Sequence, residues 1–257
     1  MVSEEIGMAQ WNQYPFWASG PARIEGEGLE AEVVLDEDRA KTYYMYEARD
    51  LSFELAHLAS GKNRLDTDDL LAFVRRYGLL WHGAEDLGTG NCRESVKDIW
   101  VESGMLSSII RMYADMRSAL DTDLTDPLRR TMNEFVVAFN AYPPPMDDDE
   151  KLMDLASVYL AEALNLKLED CRAGVASTVL VDTQPRGPDR FMLTHIAPNL
   201  LTAAHAHFAR TIVERAPVIE CPGCGRRFTP SSGKQKYHDK RCANAARWRR
   251  WNQKQSS

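Results

Sequence analysis

The 257 residues contain no run of about 18 consecutive apolar residues, so a membrane-spanning helix is not expected. Cysteine is sparse and odd in number, five in all, which argues against a framework of disulfides. There is no glycine-rich phosphate loop, no G-x-S-x-G and no H-E-x-x-H, and nothing else in the chain points to an enzyme. Internal repeats and low-complexity tracts are missing too, which excludes solenoid and fibrous architectures. The opening MVSEEIGMAQWNQ lacks a basic stretch leading into an apolar one, so no export signal is expected and the cytoplasm is the expected compartment. What remains is an ordinary globular composition, 44% hydrophobic and 27% charged, which rules out wholesale disorder.

Charge is present but unevenly placed. Residues 221–257 hold ten Lys or Arg and one acid, Asp239, so this stretch carries +9. The total is −7, which leaves −16 for the 220 residues before it. An acidic body joined to a basic end suits a negatively charged partner, most often nucleic acid.

The body reads as mainly α (α+β), helical with small β-hairpins. β-prone pieces around Gly26 and Gly28 predict a hairpin within 22–35. Apolar residues at helical spacing predict helices over about 38–60, from Asp66–Asp69 through Tyr77, over about 93–120 as one helix or a pair, and from Asp126-Pro127 onward. Pro143–Pro145 and the acids 147–150 form a stiff connector into a helix at about 149–165. A strand–turn–strand is expected at about 175–194, then a helix from Pro198 to Glu214 with Leu200, Leu201, Ala204, Phe208 and Ile212 inward. His205 and His207, two apart on that helix, cannot face one ion together and are expected to pack.

The basic stretch carries the chemistry. Cys221 and Cys224 are separated by two residues, His238 and Cys242 by three, and thirteen lie between the pairs. A C-x2-C turn, eased by Gly223 and Gly225, lets two sulfurs point at one ion, and His238 and Cys242 lie one helical turn apart. Together they offer four N/S donors, the set that closes a structural Zn2+ site. A segment this short cannot build a core of its own, whereas structural zinc supplies on the order of 10 kcal/mol of folding free energy. Phe228 and Tyr237 are the expected apolar neighbours of the ion. From about 239 to 253 the chain predicts a basic, alanine-containing helix. Trp248 and Trp251 on it are expected to pack against the body, with base stacking as the alternative.

These residues resemble the CGNR-type zinc finger: a Cys-x2-Cys knuckle followed by a phenylalanine, a Lys-rich loop, an aromatic before the third ligand and an Arg-rich helix after the fourth. Here the parts are Cys221, Cys224, Phe228, Lys234, Lys236, Tyr237, His238, Cys242 and the arginines from Arg247 onward. Two features depart from the family's pattern: His238 stands where cysteine is usual, and Cys-Gly-Asn-Arg reads Cys242, Ala243, Asn244, Ala245. The body resembles, mainly in architecture, the ABATE domain that accompanies such fingers in bacterial proteins regarded as stress-induced transcription regulators. The resemblance implies a body at 1–215, a treble-clef-like finger at 216–257, and bacterial DNA binding.

The expectation is therefore a zinc-dependent nucleic-acid-binding protein, with DNA as the first partner and RNA as the second. Arg226, Arg227, Lys234, Lys236, Lys240, Arg241, Asn244, Arg247, Arg249, Arg250 and Lys254 are the candidate contacts. No membrane partner is expected, and the body leaves open a homodimer or a small-molecule effector. Two rivals are a finger that docks on an acidic protein surface, its own body included, and an enzyme or toxin that the finger locates.

Overall fold

The computed structural model describes residues 17–43, 50–59, 66–82, 86–90, 92–122, 125–138, 149–170, 180–183, 191–194 and 199–255. The protein is mainly helical with small antiparallel sheets, as the sequence predicts. In chain order the strands are β1 (Trp17–Ser19), β2 (Ala22–Glu25), β3 (Glu32–Leu35), β4 (Lys41–Tyr43), β5 (Arg93–Ser95), β6 (Leu180–Thr183), β7 (Phe191–Thr194), β8 (Ile219–Glu220) and β9 (Arg227–Phe228). The helices are α1 (Leu51–Ala59), α2 (Thr67–Tyr77), α3 (Val96–Thr122), α4 (Asp126–Ala138), α5 (Asp149–Asp170), α6 (Leu200–Val213) and α7 (Lys240–Gln255).

The chain forms two compact units. One comprises Met1–Arg49, Thr67–Ile99 and Leu166–Ala206; the other comprises Asp50–Asp66, Trp100–Asn165 and His207–Ser257. The basic stretch thus shares a unit with helices drawn from the acidic body.

In the first unit β2 and β3 make the expected hairpin, with Ala22 opposite Leu35. β5 pairs with the free side of β3, and β1 pairs with β4 around the buried Trp17. β4 and β5 correct the helices expected from about 38 and 93. Strands of three residues carry no measurable periodicity, and their partners come from far along the chain, so local pattern cannot find them. The segment 175–179 and the turn 184–190 lie outside the described residues, but β6 and β7 pair as expected, Leu180 opposite Thr194. On α2, Leu70, Phe73, Val74 and Tyr77 are all buried, the face their spacing predicts. Asn199 caps α6: its Oδ1 accepts from the Thr202 backbone N–H and hydroxyl, both at 2.8 Å.

Glu94 gives this unit a pH dependence. Its carboxylate is buried and accepts the Leu80 and Trp81 backbone N–H groups at 2.8 and 2.5 Å. Burial pushes its pKa up from 4.5 to about 7, partly opposed by the Trp81 and Leu80 N–H groups. The folded state therefore holds the proton more tightly than the unfolded chain. Its stabilising effect is complete below pH 4.5 and is lost as pH rises through about 7. Relative to Glu94→Gln, the wild type should lose stability of order 3 kcal/mol across that window, read as a drift in urea midpoint. Parallel midpoints for the two proteins would refute it.

In the second unit Leu51, Leu55 and Leu58 of α1 are buried together, as are Leu128, Met132, Phe135 and Val136 of α4; Phe139 lies outside the described residues. α3 is a single helix, started by Ser95, whose Oγ accepts the Asp98 N–H at 3.3 Å. Phe208 sits at the centre of the unit, with the rings of Phe53 and Tyr113 edge-on at 6.1 and 5.8 Å. The Tyr113 hydroxyl donates to the Ala216 carbonyl at 3.0 Å, fixing the chain where it leaves α6 for the basic stretch.

Candidate metal centre and basic helix

β8 and β9 form a hairpin of two residues a side, Ile219 opposite Phe228 and Glu220 opposite Arg227. Its tip is the Cys-x2-Cys turn. The Cys221 N–H donates to the Arg226 carbonyl at 2.8 Å, and the Cys221 carbonyl accepts from Gly225 at 2.8 Å and Cys224 at 3.4 Å. Gly225 closes the turn at φ +74°, a left-handed conformation that side chains disfavour. Gly223 answers a different need: a Cβ there would lie 3.1 Å from Cys242 Cβ and 3.3 Å from its sulfur. The knuckle is small because the fourth donor comes right up to it.

The second pair of donors is delivered by two side chains that the spacing argument overlooked. Gln235 staples the loop, its Oε1 accepting from the Ser231 N–H at 2.7 Å and its Nε2 donating to the Tyr237 carbonyl at 3.0 Å. Asp239 caps α7 by accepting the Cys242 N–H at 2.7 Å. Its other oxygen lies 3.4 Å from His238 Nε2, while His238 Nδ1 lies 3.4 Å from Cys224 Sγ. A carboxylate on Nε2 orients the ring so that Nδ1 faces the cysteines, the usual outer-shell support of a histidine ligand. An aspartate three residues before a helical cysteine was the available signal.

The donor atoms of Cys221, Cys224, His238 and Cys242 all lie within 4.8 Å of one another. A tetrahedral site with bonds of zinc length has edges of about 3.6–3.8 Å, so a single ion could be shared with small movements. The four side chains could therefore bind a metal ion, as expected from their spacing. Their electrostatics ask for a cation. Burial pushes the Cys221 thiol up, but donors from the His238 side chain and backbone and the Gly223 and Cys224 amides outweigh it, giving about 6. Burial and the neighbouring Cys224 and Cys221 sulfurs push Cys242 up to about 12. A cation placed among the donors would favour the thiolate forms of Cys221 and Cys242. Phe228 is buried beside the cluster, its ring 6.3 Å from that of His238, and Tyr237 is half-buried.

The candidate contacts divide into two groups. Arg226 and Arg227 turn inward. Arg226 forms an ion pair with Glu54 of α1, the two side chains being 23% and 17% exposed. Arg227 lies 3.5 Å from Glu220, and its pKa is lowered by burial. Lys234, Lys236, Lys240, Arg241, Asn244, Arg247, Arg249 and Arg250 are exposed, while the side chain of Lys254 lies outside the described residues. Trp248 and Trp251 correct the packing expectation: they are 64% and 57% exposed. The two histidines of α6 pack as expected, His205 Nδ1 2.9 Å from the Leu201 carbonyl and His207 Nδ1 3.0 Å from Ser52 Oγ.

A cleft of about 270 Å³ in the second unit is lined by Trp100, Ser107, Arg111, Thr131 and Glu134 among others. Its two charged groups, Arg111 and Glu134, are paired with each other at 2.5 Å. No family model, curated protein or solved structure matches the chain.

Proposed function

We propose that the protein binds nucleic acid through α7, and that Zn2+ held by Cys221, Cys224, His238 and Cys242 orders that helix. The observation that carries the reading is the joining of four N/S donors at the head of a helix whose exposed side chains are basic. The donor set, three sulfurs and one imidazole, favours zinc over harder ions such as Mg2+ or Ca2+. Zinc with three thiolates and a neutral imidazole contributes −1, which leaves the stretch about +8. Its role is structural: it ties the knuckle to the first turn of α7. Lys234, Lys236, Lys240, Arg241, Arg247, Arg249 and Arg250 then meet phosphate, and Asn244 stands among them as a neutral donor and acceptor. The likeness to CGNR-type fingers makes a bacterial DNA-binding transcription regulator in the cytoplasm the most specific form of this reading.

Retardation of labelled DNA or RNA by the intact, metal-loaded chain at low salt is the direct test. Failure to retard either polymer would remove the reading and leave the second one, a finger that docks on acidic protein surface. The Arg226–Glu54 pair favours that second role for the knuckle, since one of its arginines already engages an acid of the same chain. The two roles use different residues, so the knuckle can face α1 while α7 faces a partner.

A further inference from the structure

We infer that the solvent-facing side of α7 is a stacking platform for unpaired bases, so that the polymer it takes is single-stranded. This rests on the nucleic-acid reading above and specifies the form of the ligand. Arg241, Asn244, Trp248 and Trp251 succeed one another at spacings of three, four and three, which sets them along one side of the helix. All four are exposed; Cys242, Ala243 and Ala246 on the other side are half-buried, as is Asn252 at the edge of the stripe. The stripe therefore points away from the knuckle, with the two indoles about one turn apart at its C-terminal end.

Two tryptophans three residues apart, at 64% and 57% exposure, place apolar surface in water, which does not favour it. At 100° per residue, Lys240 and Arg247 border that patch on one flank and Arg241 on the other, all exposed. Aromatic faces set among arginines match what a single strand offers: phosphates on the outside and base faces free to stack. A duplex hides its base faces against one another, and reaching them costs unstacking of a few kcal/mol per step. Phosphate contact alone would account for the arginines and leave the indoles unused.

Other occupants fit less well. A second copy of α7 would press two arginine-rich faces together, a like-charge juxtaposition. A lipid surface needs a broad apolar face, and beyond the two indoles the exposed side chains described on α7 are basic, polar or alanine.

The test uses the intact, metal-loaded protein and fluorescein-labelled oligothymidylate or oligouridylate of about 20 nucleotides, longer than one usual single-strand site. A mixed-sequence duplex of equal length and anionic phosphatidylserine vesicles are the comparison ligands. Tighter binding of the single strands than of the duplex is expected, with quenching of indole fluorescence. Trp248→Ala and Trp251→Ala should each weaken single-strand binding about 5- to 100-fold while changing duplex binding little, and the Phe replacements should restore most of it. Both positions are exposed, so metal content and circular dichroism should match the wild type; the wild-type quenching needs no substitution at all. Duplex preference, Ala variants that bind single strands normally, or vesicles that bind and quench better than oligonucleotide overturn the stacking inference. If duplex and single strand bind alike, with indoles silent, the electrostatic reading survives without it. Absence of binding to every oligonucleotide overturns both.

Discussion

Cys221→Ser in the intact chain should reduce bound metal from one ion per chain to near zero and weaken nucleic-acid binding at least 100-fold at moderate salt. The size follows from how α7 is held. Among its described side chains none is fully buried; Cys242, Ala243, Ala246 and Asn252 are half-buried and the rest are exposed. The helix therefore has almost no apolar core to dock on. A free helix of this length is marginal in water, because nucleation is costly and packing normally supplies most of its stability. Structural zinc in small finger peptides supplies about 10–16 kcal/mol at neutral pH, far more than the cap from Asp239. Cys221 is the fully buried ligand, so its sulfur is the hardest to replace. Metal analysis, far-ultraviolet circular dichroism and binding should fall together. Should the serine protein keep its ion and its affinity, the metal account is wrong.

Salt provides the second large effect. Seven described Lys and Arg side chains of the stretch are exposed: Lys234, Lys236, Lys240, Arg241, Arg247, Arg249 and Arg250. They cannot all meet one strand, since they surround the helix and its preceding loop. With about five phosphates neutralised, log K should fall with log salt at a slope near −4, a loss of about 10² to 10³ between 50 and 200 mM. Arg247→Ala should make that slope shallower by about one, whereas Arg226→Ala should leave it unchanged, because Arg226 is occupied by Glu54. Affinity indifferent to salt, or an equal effect of the two substitutions, would mean that α7 is not the electrostatic contact.

Arg226 also shows where reading from sequence stops. Arg226 and Arg247 are indistinguishable as letters in a basic tail, yet one is paired with a carboxylate of α1 and the other stands in water. Tryptophan raised the same problem in reverse: burial is its usual fate, and Trp248 and Trp251 are exposed. The strands Lys41–Tyr43 and Arg93–Ser95 escaped notice because each consists of three residues whose partners lie more than twenty positions away. Glu94 is a buried cap for two backbone amides thirteen and fourteen residues before it, a role that no local pattern marks.

Local regularities were legible without coordinates. The buried face of α2, the start of α4 at Asp126 and each of the two donor pairs depend on residues within one or two turns of each other, and the hairpin at 22–35 on two strands adjacent in the chain. The polypeptide's own geometry, 3.6 residues per helical turn and alternation along a strand, converts such spacing directly into position. The inward turn of Arg226, the outward turn of Trp248 and the amides around Glu94 were decided by tertiary structure. Each depends on which surface a folded neighbour presents, and for an amphipathic or charged side chain the choice between water and a partner is a balance of large solvation and pairing energies that no single residue contains.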